Sequence, residues 1–342
     1  MNTWQQKLRY LIVQRLGSKI VPFIPSSFFR YPLPSYVIIE PTNICNLRCP
    51  LCPTNTAMYR KKGMMTISNF HTLADELAGF VEKIAFNFSG EPTLNPVLFD
   101  MVRYAEDKGM STYISTNTTI IDKHLDRIFD SGLSTITVCL DGASKKNHEA
   151  YRVGSNFEKV KANIKKLTAK KRQLKSKKPY IELQFLVMKH NENDIPKMFS
   201  LARRLDVDAL SLKTISLGSS ISLKEKIARG QKYLPQNERF SRYTLEGGKL
   251  RVKKQPLLCE WPFRRSVIYW NGDVTTCCYD FNGKHTIGNI FDYGSFKKLW
   301  FSYAYALTRK KVLTHKLPLC KTCSLPTDYG LIFDKQQLAL EQ

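Results

Sequence analysis

The sequence predicts an α/β fold of six successive strand–helix units, and three observations predict it. Six short segments rich in Val, Ile, Phe, Tyr or Thr recur across residues 36–214, each bounded by Gly, Asn, Asp or Pro. Amphipathic stretches with three- and four-residue apolar spacing lie between them. Successive strands start about 30 residues apart, the size of a repeating βα unit. Apolar residues make up 43% of the 342-residue chain and charged residues 24%, so a sizeable core is available and disorder is not indicated.

Residues 4–20 put Trp4, Leu8, Leu11, Ile12, Leu16 and Ile20 on one helical face, with Lys and Arg around it. Such a face packs on its own domain, and a membrane surface is the alternative partner. Arg9 and Arg15 interrupt the only apolar centre near the start, and no small-residue cleavage site follows, so no signal peptide is expected. No apolar run approaches the length needed to span a bilayer. A cytoplasmic location is therefore expected, with peripheral membrane association through residues 4–20 as its variant.

The first strand is YVIIE (36–40) and leads into EPTNICNLRCPLCPT, which holds Cys45, Cys49 and Cys52. A helix over ISNFHTLADELAGF follows, with Phe70, Leu73, Leu77 and Phe80 on one face. The next strands are KIAFNFS (83–89), STYIST (111–116) and STITVCLD (134–141). The helix FEKVKANIKKLTAKKRQL comes next, its apolar face formed by Phe157, Val160, Ile164, Leu167 and Leu174. The last two strands are IELQFLVM (181–188) and DALSLKT (208–214). In a parallel arrangement, function gathers at the C-terminal strand ends, where the three thiols sit.

Lys plus Arg number 53 against 29 Asp plus Glu, a net charge of +24. This favours an anionic partner: a phosphorylated small molecule, an acidic peptide, nucleic acid or a membrane surface. Ten of the twenty residues from Lys159 to Lys178 are basic. No aromatic residues interleave for base stacking, so this run reads as the solvated face of a helix, and nucleic acid is not the expected partner.

In a reducing compartment nine cysteines read as free thiols or metal ligands. Cys45, Cys49 and Cys52 form one group, Cys259, Cys277, Cys278, Cys320 and Cys323 a second, and Cys139 stands alone. A structural zinc site closes with four ligands. A 4Fe–4S cluster needs four ligands, so three cysteines leave one iron free to bind something else. From spacing alone, a zinc loop borrowing a distant ligand remains open.

The C-x3-C-x2-C spacing resembles the radical S-adenosylmethionine enzymes. The resemblance implies that the open iron chelates the amino and carboxylate groups of S-adenosylmethionine, and that an electron from the cluster cleaves it to methionine and a 5′-deoxyadenosyl radical. Further motifs follow in order. Ser89, Gly90, Glu91 and Pro92 stand where the family binds the methionine amino group, Ser115 and Asn117 where it contacts ribose and carboxylate, and Arg152 where an arginine pairs with the carboxylate. Leu51, before the third cysteine, stands where the family often has an aromatic residue near the adenine.

The second group resembles the SPASM/twitch extension of the same family. Cys277 follows Cys259 by eighteen residues and Gly272 by five, and Cys320 and Cys323 form C-x2-C. The resemblance implies that Cys259, Cys277, Cys320 and Cys323 hold a second 4Fe–4S cluster. The longer SPASM pattern would place a cysteine at position 329, which is Tyr329. A four-cysteine zinc ribbon also permits this spacing. Cys278 competes with Cys277 for the ligand role, and the G-x4-C spacing favours Cys277.

The resemblance implies a partial (β/α)6 TIM-like barrel followed by a small cluster-binding domain. The expected divisions are an amphipathic extension (1–34), the barrel core (35–218), a linker (219–254), the SPASM/twitch domain (255–330) and a C-terminal tail (331–342). It implies hydrogen abstraction, oxidising or epimerising a sugar-type small molecule, with a peptide as the alternative, and a reductant such as flavodoxin or ferredoxin; the net charge of +24 suggests that the substrate is anionic. A basic zinc protein that binds nucleic acid is the reading of another class. Cys139 shares a strand face with Thr135, Thr137 and Asp141, where its thiol could return a hydrogen atom to a substrate radical; a plain buried core cysteine is the alternative.

Overall fold

Six parallel strands follow one another across one sheet in chain order: β1 (Tyr36–Ile39), β2 (Lys83–Phe86), β3 (Ser111–Thr116), β4 (Thr135–Cys139), β5 (Tyr180–Val187) and β6 (Ala209–Thr214). The structure is a computed structural model that describes Pro25 and residues 31–218, 221–253, 259–324 and 330–340. The helix expected over residues 4–20 lies outside these.

Alternation along each strand divides the sheet into two unlike faces. Val37 and Ile39 of β1, Ile84 and Phe86 of β2, and Leu183 and Phe185 of β5 point toward the crossover helices. There they join Phe70, Leu73, Val102, Val160, Ile164 and Met198 in one buried core. Burying such a side chain is worth about 1.5–3 kcal/mol, which fixes the register of every strand against its helices. The opposite face is mixed. Ile38, Ala85, Val267 and Tyr269 form a small apolar cluster, while Ser115, Thr137, Cys139, Glu182, Gln184, Ser211 and Lys213 lie on the same side by alternation.

Side-chain caps set the helix starts. Thr66, Ser144 and Asn156 accept from Asn69, Asn147 and Lys159 backbone N–H groups at the starts of helices Ile67–Leu77, Lys145–Tyr151 and Phe157–Gln173. Two expected apolar-face residues fall past the helix ends. Phe80 lies beyond Leu77 and stacks on Phe296, ring centres 5.9 Å apart. Leu174 lies past Gln173 and is 51% exposed. The basic run carries its charge outward, where Lys171 meets Asp208 and Lys178 meets Glu106.

The stretch expected as a linker holds a helix, Leu223–Tyr233, and a hairpin of β7 (Tyr243–Glu246) and β8 (Lys249–Val252). Beyond it, β9 (Arg265–Ile268) adds parallel to β1, and β10 (Asp273–Thr275) and β11 (Gly288–Asn289) extend the sheet antiparallel. Residues 331–340, expected as a tail, form β12 (Leu331–Asp334) and a helix, Lys335–Leu340; β12 pairs antiparallel with β6. The physical reason is common to both ends. An open parallel sheet exposes unpaired backbone groups on its outer strands, and β9 and β12 cover them.

A buried ion pair joins the first strand to the C-terminal strands. Glu40, fully buried, receives Arg60 Nη2 at 2.7 Å and Nη1 at 3.0 Å, and the Trp270 N–H at 3.3 Å. Arg60 also donates through Nε to the Phe281 carbonyl and lies over the Tyr269 ring at 4.0 Å. Removing one partner of a buried pair strands the other charge, at a cost of roughly 3–5 kcal/mol. Arg60→Met should therefore lower the free energy of unfolding by about that amount, and Glu40→Leu added to it should restore part of the loss. Thermal and denaturant unfolding of the two variants checks this, and an unchanged Arg60→Met transition would refute the role.

Candidate functional site

The loop after β1 is held open and rigid by its own hydrogen bonds. Thr42 Oγ1 donates to the Gly63 carbonyl, Asn43 Nδ2 to Lys61 O, and Gly63 N–H to Asn43 Oδ1. The Cys52 N–H donates to Cys49 O, the Leu47 N–H to Cys45 Sγ at 3.4 Å, and Asn55 Nδ2 to Leu47 O at 2.7 Å. The three thiols face one cavity of about 290 Å³ at the C-terminal ends of the strands. Burial pushes the Cys49 thiol up to about 12 and raises Cys45; Arg152 opposes the rise at both.

Among the described residues, no three His, Cys, Asp or Glu side chains converge tightly enough to hold a single metal ion. Three soft thiol donors lining one cavity fit a 4Fe–4S cluster that keeps one iron open.

Ten of the residues singled out by sequence share this cavity: Cys45, Cys49, Leu51, Cys52, Gly90, Glu91, Ser115, Asn117, Cys139 and Arg152. Gly90 is there for a steric reason. Its φ is +71°, and a Cβ would lie 2.5 Å from the Thr42 carbonyl oxygen, so only glycine lets this segment lie on the cysteine loop. Glu91 is buried and heavily engaged. Its Oε1 accepts from the Thr93 N–H, Thr93 Oγ1 and Thr116 Oγ1, and its Oε2 from the Asn117 N–H at 2.7 Å. Burial raises its pKa against these four donors. Ser89 and Pro92 do not reach the cavity wall: Ser89 is buried behind it, and Pro92 opens the 3-10 turn Pro92–Leu94.

Arg152 is aimed by a buried carboxylate. Its Nε donates to Asp141 Oδ2 at 2.5 Å, while Asp141 Oδ1 accepts from the Leu186 N–H at 2.7 Å. Neither Arg152 Nη group has a hydrogen-bond partner among the described residues, and the guanidinium lies 5.7 Å from the centre of the Tyr151 ring. Behind this pair, the Asp141 N–H donates to His148 Nδ1, and His148 Nε2 lies 2.9 Å from Ser155 Oγ. Burial drops the His148 pKa to about 4, so the ring is neutral with its proton on Nε2. Asn117 Nδ2 donates to Asn46 Oδ1 at 2.8 Å. The Cys139 thiol sits 3.8 Å from Ser115 Oγ and 3.5 Å from Gln184 Nε2, and burial pushes it up to about 11.

Sequence reasoning missed Asn46, Tyr151, Leu186, Ile215 and Ser216, which complete the wall or brace it. Ile215 and Ser216 follow β6 directly, so the rule that places function after parallel strands could have found them.

The second cysteine set also meets. Cys259, Cys277, Cys320 and Cys323 line one cavity with Pro262, Thr276, Val312, His315 and Leu319. Burial pushes Cys259 and Cys320 up to about 12. Cys277 lines the cavity and Cys278 does not. The Tyr279 N–H donates to Cys277 Sγ at 3.4 Å, and its hydroxyl reaches Ser216 Oγ at 3.1 Å, which links the walls of the two cavities.

Comparison with known proteins agrees with this geometry. Residues 39–202 match the model of the radical SAM superfamily, and residues 259–324 match that of the SPASM iron–sulfur cluster-binding domain. The tungsten-containing aldehyde ferredoxin oxidoreductase cofactor-modifying protein of Pyrococcus furiosus is 26% identical over 85% of this chain and 87% of its own. Among solved structures, BtrN in complex with AdoMet and 2-DOIA shares 20% identity with a TM-score of 0.50, over 86% of this chain and 94% of its own. SuiB of Streptococcus suis bound to precursor peptide SuiA shares 14% identity with a TM-score of 0.57, over 81% of this chain and 67% of its own. With two thiol-lined cavities and family models matched over the segments that carry both thiol sets, the chain belongs to the radical SAM superfamily, as an enzyme that uses S-adenosylmethionine and 4Fe–4S clusters and carries a C-terminal SPASM domain.

Proposed function

We propose that the enzyme takes a hydrogen atom from an anionic, sugar-type small molecule and completes an oxidation. The observation that carries this reading is the single cavity shared by the three thiols, Arg152, Asn117 and Cys139. Cys45, Cys49 and Cys52 would hold the catalytic cluster, which when reduced supplies the electron that breaks the carbon–sulfur bond of S-adenosylmethionine. The unpartnered Nη groups of Arg152 match a carboxylate bidentately, and Asp141 keeps the guanidinium plane turned toward the cavity. Asn117 and Ser115 would contact the ribose and carboxylate, and Leu51 would cover the adenine. Glu91 holds the two loops that carry Gly90 and Asn117 together, with one Oε2 lone pair left for the methionine ammonium. Ser89 and Pro92 shape that loop from behind.

Cys259, Cys277, Cys320 and Cys323 would hold a fully ligated second cluster, a group able to take up one electron. The substrate loses a hydrogen atom first, then an electron and a proton, so the product is two mass units lighter. The net charge of +24 supports steering of an anionic substrate to the cavity. A reductant such as flavodoxin or ferredoxin would deliver the first electron.

Epimerisation is the second reading, and Cys139 favours it. Burial holds its thiol protonated at neutral pH, and a thiol hydrogen on the cavity wall is available to a carbon radical.

Replacing Cys45, Cys49 and Cys52 together with Ala should halve the iron of the anaerobically reconstituted enzyme and abolish 5′-deoxyadenosine formation; continued cleavage by the triple variant would refute the assignment. Arg152→Ala should weaken S-adenosylmethionine binding about tenfold or more with iron content unchanged, since the contact is charge-assisted; unaltered affinity removes Arg152 from the site. Turnover in D2O separates the two reactions: a two-mass-unit loss indicates oxidation, whereas deuterium uptake that Cys139→Ala abolishes indicates epimerisation.

A further inference from the structure

The interior faces of β5 and β6 carry charges that the fold leaves unmatched. Leu183, Phe185, Leu210 and Leu212 point to the helices, so Glu182, Gln184, Ser211 and Lys213 point into the barrel. Glu182 and Lys213 are half-buried. Neither side chain has a hydrogen-bond or salt-bridge partner among the described residues. Outside the barrel the same strands and helices match their charges, as Lys171 with Asp208 and Lys178 with Glu106 show. A half-buried charge without a partner is unfavourable, and a ligand of opposite charge relieves it.

The two charges do not satisfy each other. Lys213 is in register with Leu186, four residues beyond Glu182 on β5, which separates the two backbones by about 13 Å along the strand. Leu186 lines the cofactor cavity, so register sets Lys213 level with its wall and Glu182 further toward the N-terminal strand ends, and neither is itself among the cavity's lining residues. Between them, Gln184 donates to the Cys139 thiol, which lines the same cavity. Tyr113 faces this interior from β3; burial raises its pKa, and the Glu182 charge adds to the rise.

We propose that this face is the substrate site and that it takes a dipolar small molecule: a cationic amine at Glu182, an anionic group such as a phosphate at Lys213, and the reacting carbon between them beside Cys139. Side chains leaning inward from these backbones span ligand charges about 7–10 Å apart, the reach of a phosphorylated amino sugar. The inference rests on the radical SAM reading above and adds the charge pattern of its substrate. Net charge then steers the anionic end, and Glu182 selects for the amine.

The test is anaerobic calorimetric titration of the reconstituted enzyme, loaded with S-adenosylmethionine, with glucosamine 6-phosphate, glucose 6-phosphate and glucosamine. Glucosamine 6-phosphate should bind about tenfold more tightly than either of the others. Glu182→Gln should lower its affinity to that of glucose 6-phosphate and leave glucose 6-phosphate itself unchanged. Lys213→Met should weaken both phosphates alike, by about tenfold. No binding of glucosamine 6-phosphate, or equal affinity in the wild type and both variants, overturns the assignment. If a variant fails to retain iron, the wild-type ranking of the three probes decides. Iron content and 5′-deoxyadenosine formation measured on the same preparations separate the two levels. Their loss in the wild type defeats the radical reading, whereas their presence without the charge preference defeats only the dipolar site.

Discussion

A carboxylate in a dry interior has to be paired, and much of this structure is arranged around one that is. Glu40 directly follows the first strand, immediately before the cysteine loop. Its partner Arg60 lies after that loop, so the pair clamps the loop's two ends together. The same guanidinium reaches Phe281 O and the Tyr269 ring, and Glu40 accepts from Trp270. Gly63 continues the contact, since a Cβ there would lie 2.4 Å from the Trp270 ring. Barrel strand, cysteine loop and C-terminal strands thus share one desolvated charge, and a change that strands it would be felt at all three.

The elements legible in the sequence are those whose signal is local. Each barrel strand shows its β-branched or aromatic run, and the two crossovers read as helices, over 67–80 and 157–174, show three-and-four spacing. Thiol spacings and the glycine of SGEP are local too, and both thiol sets converge in space. Illegible were the features that depend on distant partners. Nothing near Leu331 says that a strand is needed; the need arises at β6, more than a hundred residues earlier, which would otherwise present an unpaired edge. Glu91 reads as a ligand from its motif, yet its partners Thr116 and Asn117 lie at the end of a different strand, β3. His148 shows no pairing with another histidine, because its role is to accept a single N–H from Asp141. Leu174 and Phe80 continue the apolar spacing after the backbone has left the helix, since periodicity does not encode the stop.

The two faces of each strand follow from one period-two pattern but serve opposite ends. Helix-facing positions are mostly Val, Ile, Leu and Phe, with buried threonines at Thr112, Thr116 and Thr214, and close packing there leaves little freedom. Interior positions are mixed: Ser115, Thr137, Cys139, Glu182, Gln184, Ser211 and Lys213 are polar, while Ile38 and Ala85 form an apolar cluster with Val267 and Tyr269 of the C-terminal segment, against which Tyr113 packs. A closed eight-stranded barrel would fill its interior with side chains. Six strands with capped edges leave an interior that is neither filled nor uniformly polar, and that is why uncompensated charges can persist there.

Tyr279 shows how the two cavities are kept in register. Its backbone N–H meets Cys277, and its hydroxyl meets Ser216 on the cofactor cavity and Ser324 beside Cys323. Ser324 also contacts Tyr243 of the hairpin, whose hydroxyl accepts from the Leu217 N–H. Burial raises the Tyr279 pKa to about 12, so the phenol keeps its proton and remains a donor across the working pH range. A buried network with every member satisfied is stiff, because losing any one bond exposes another group to an unpaired interior. The distance between the cavities is therefore held by packed hydrogen bonds that tie the turns carrying Cys277 and Cys323 to the segment after β6.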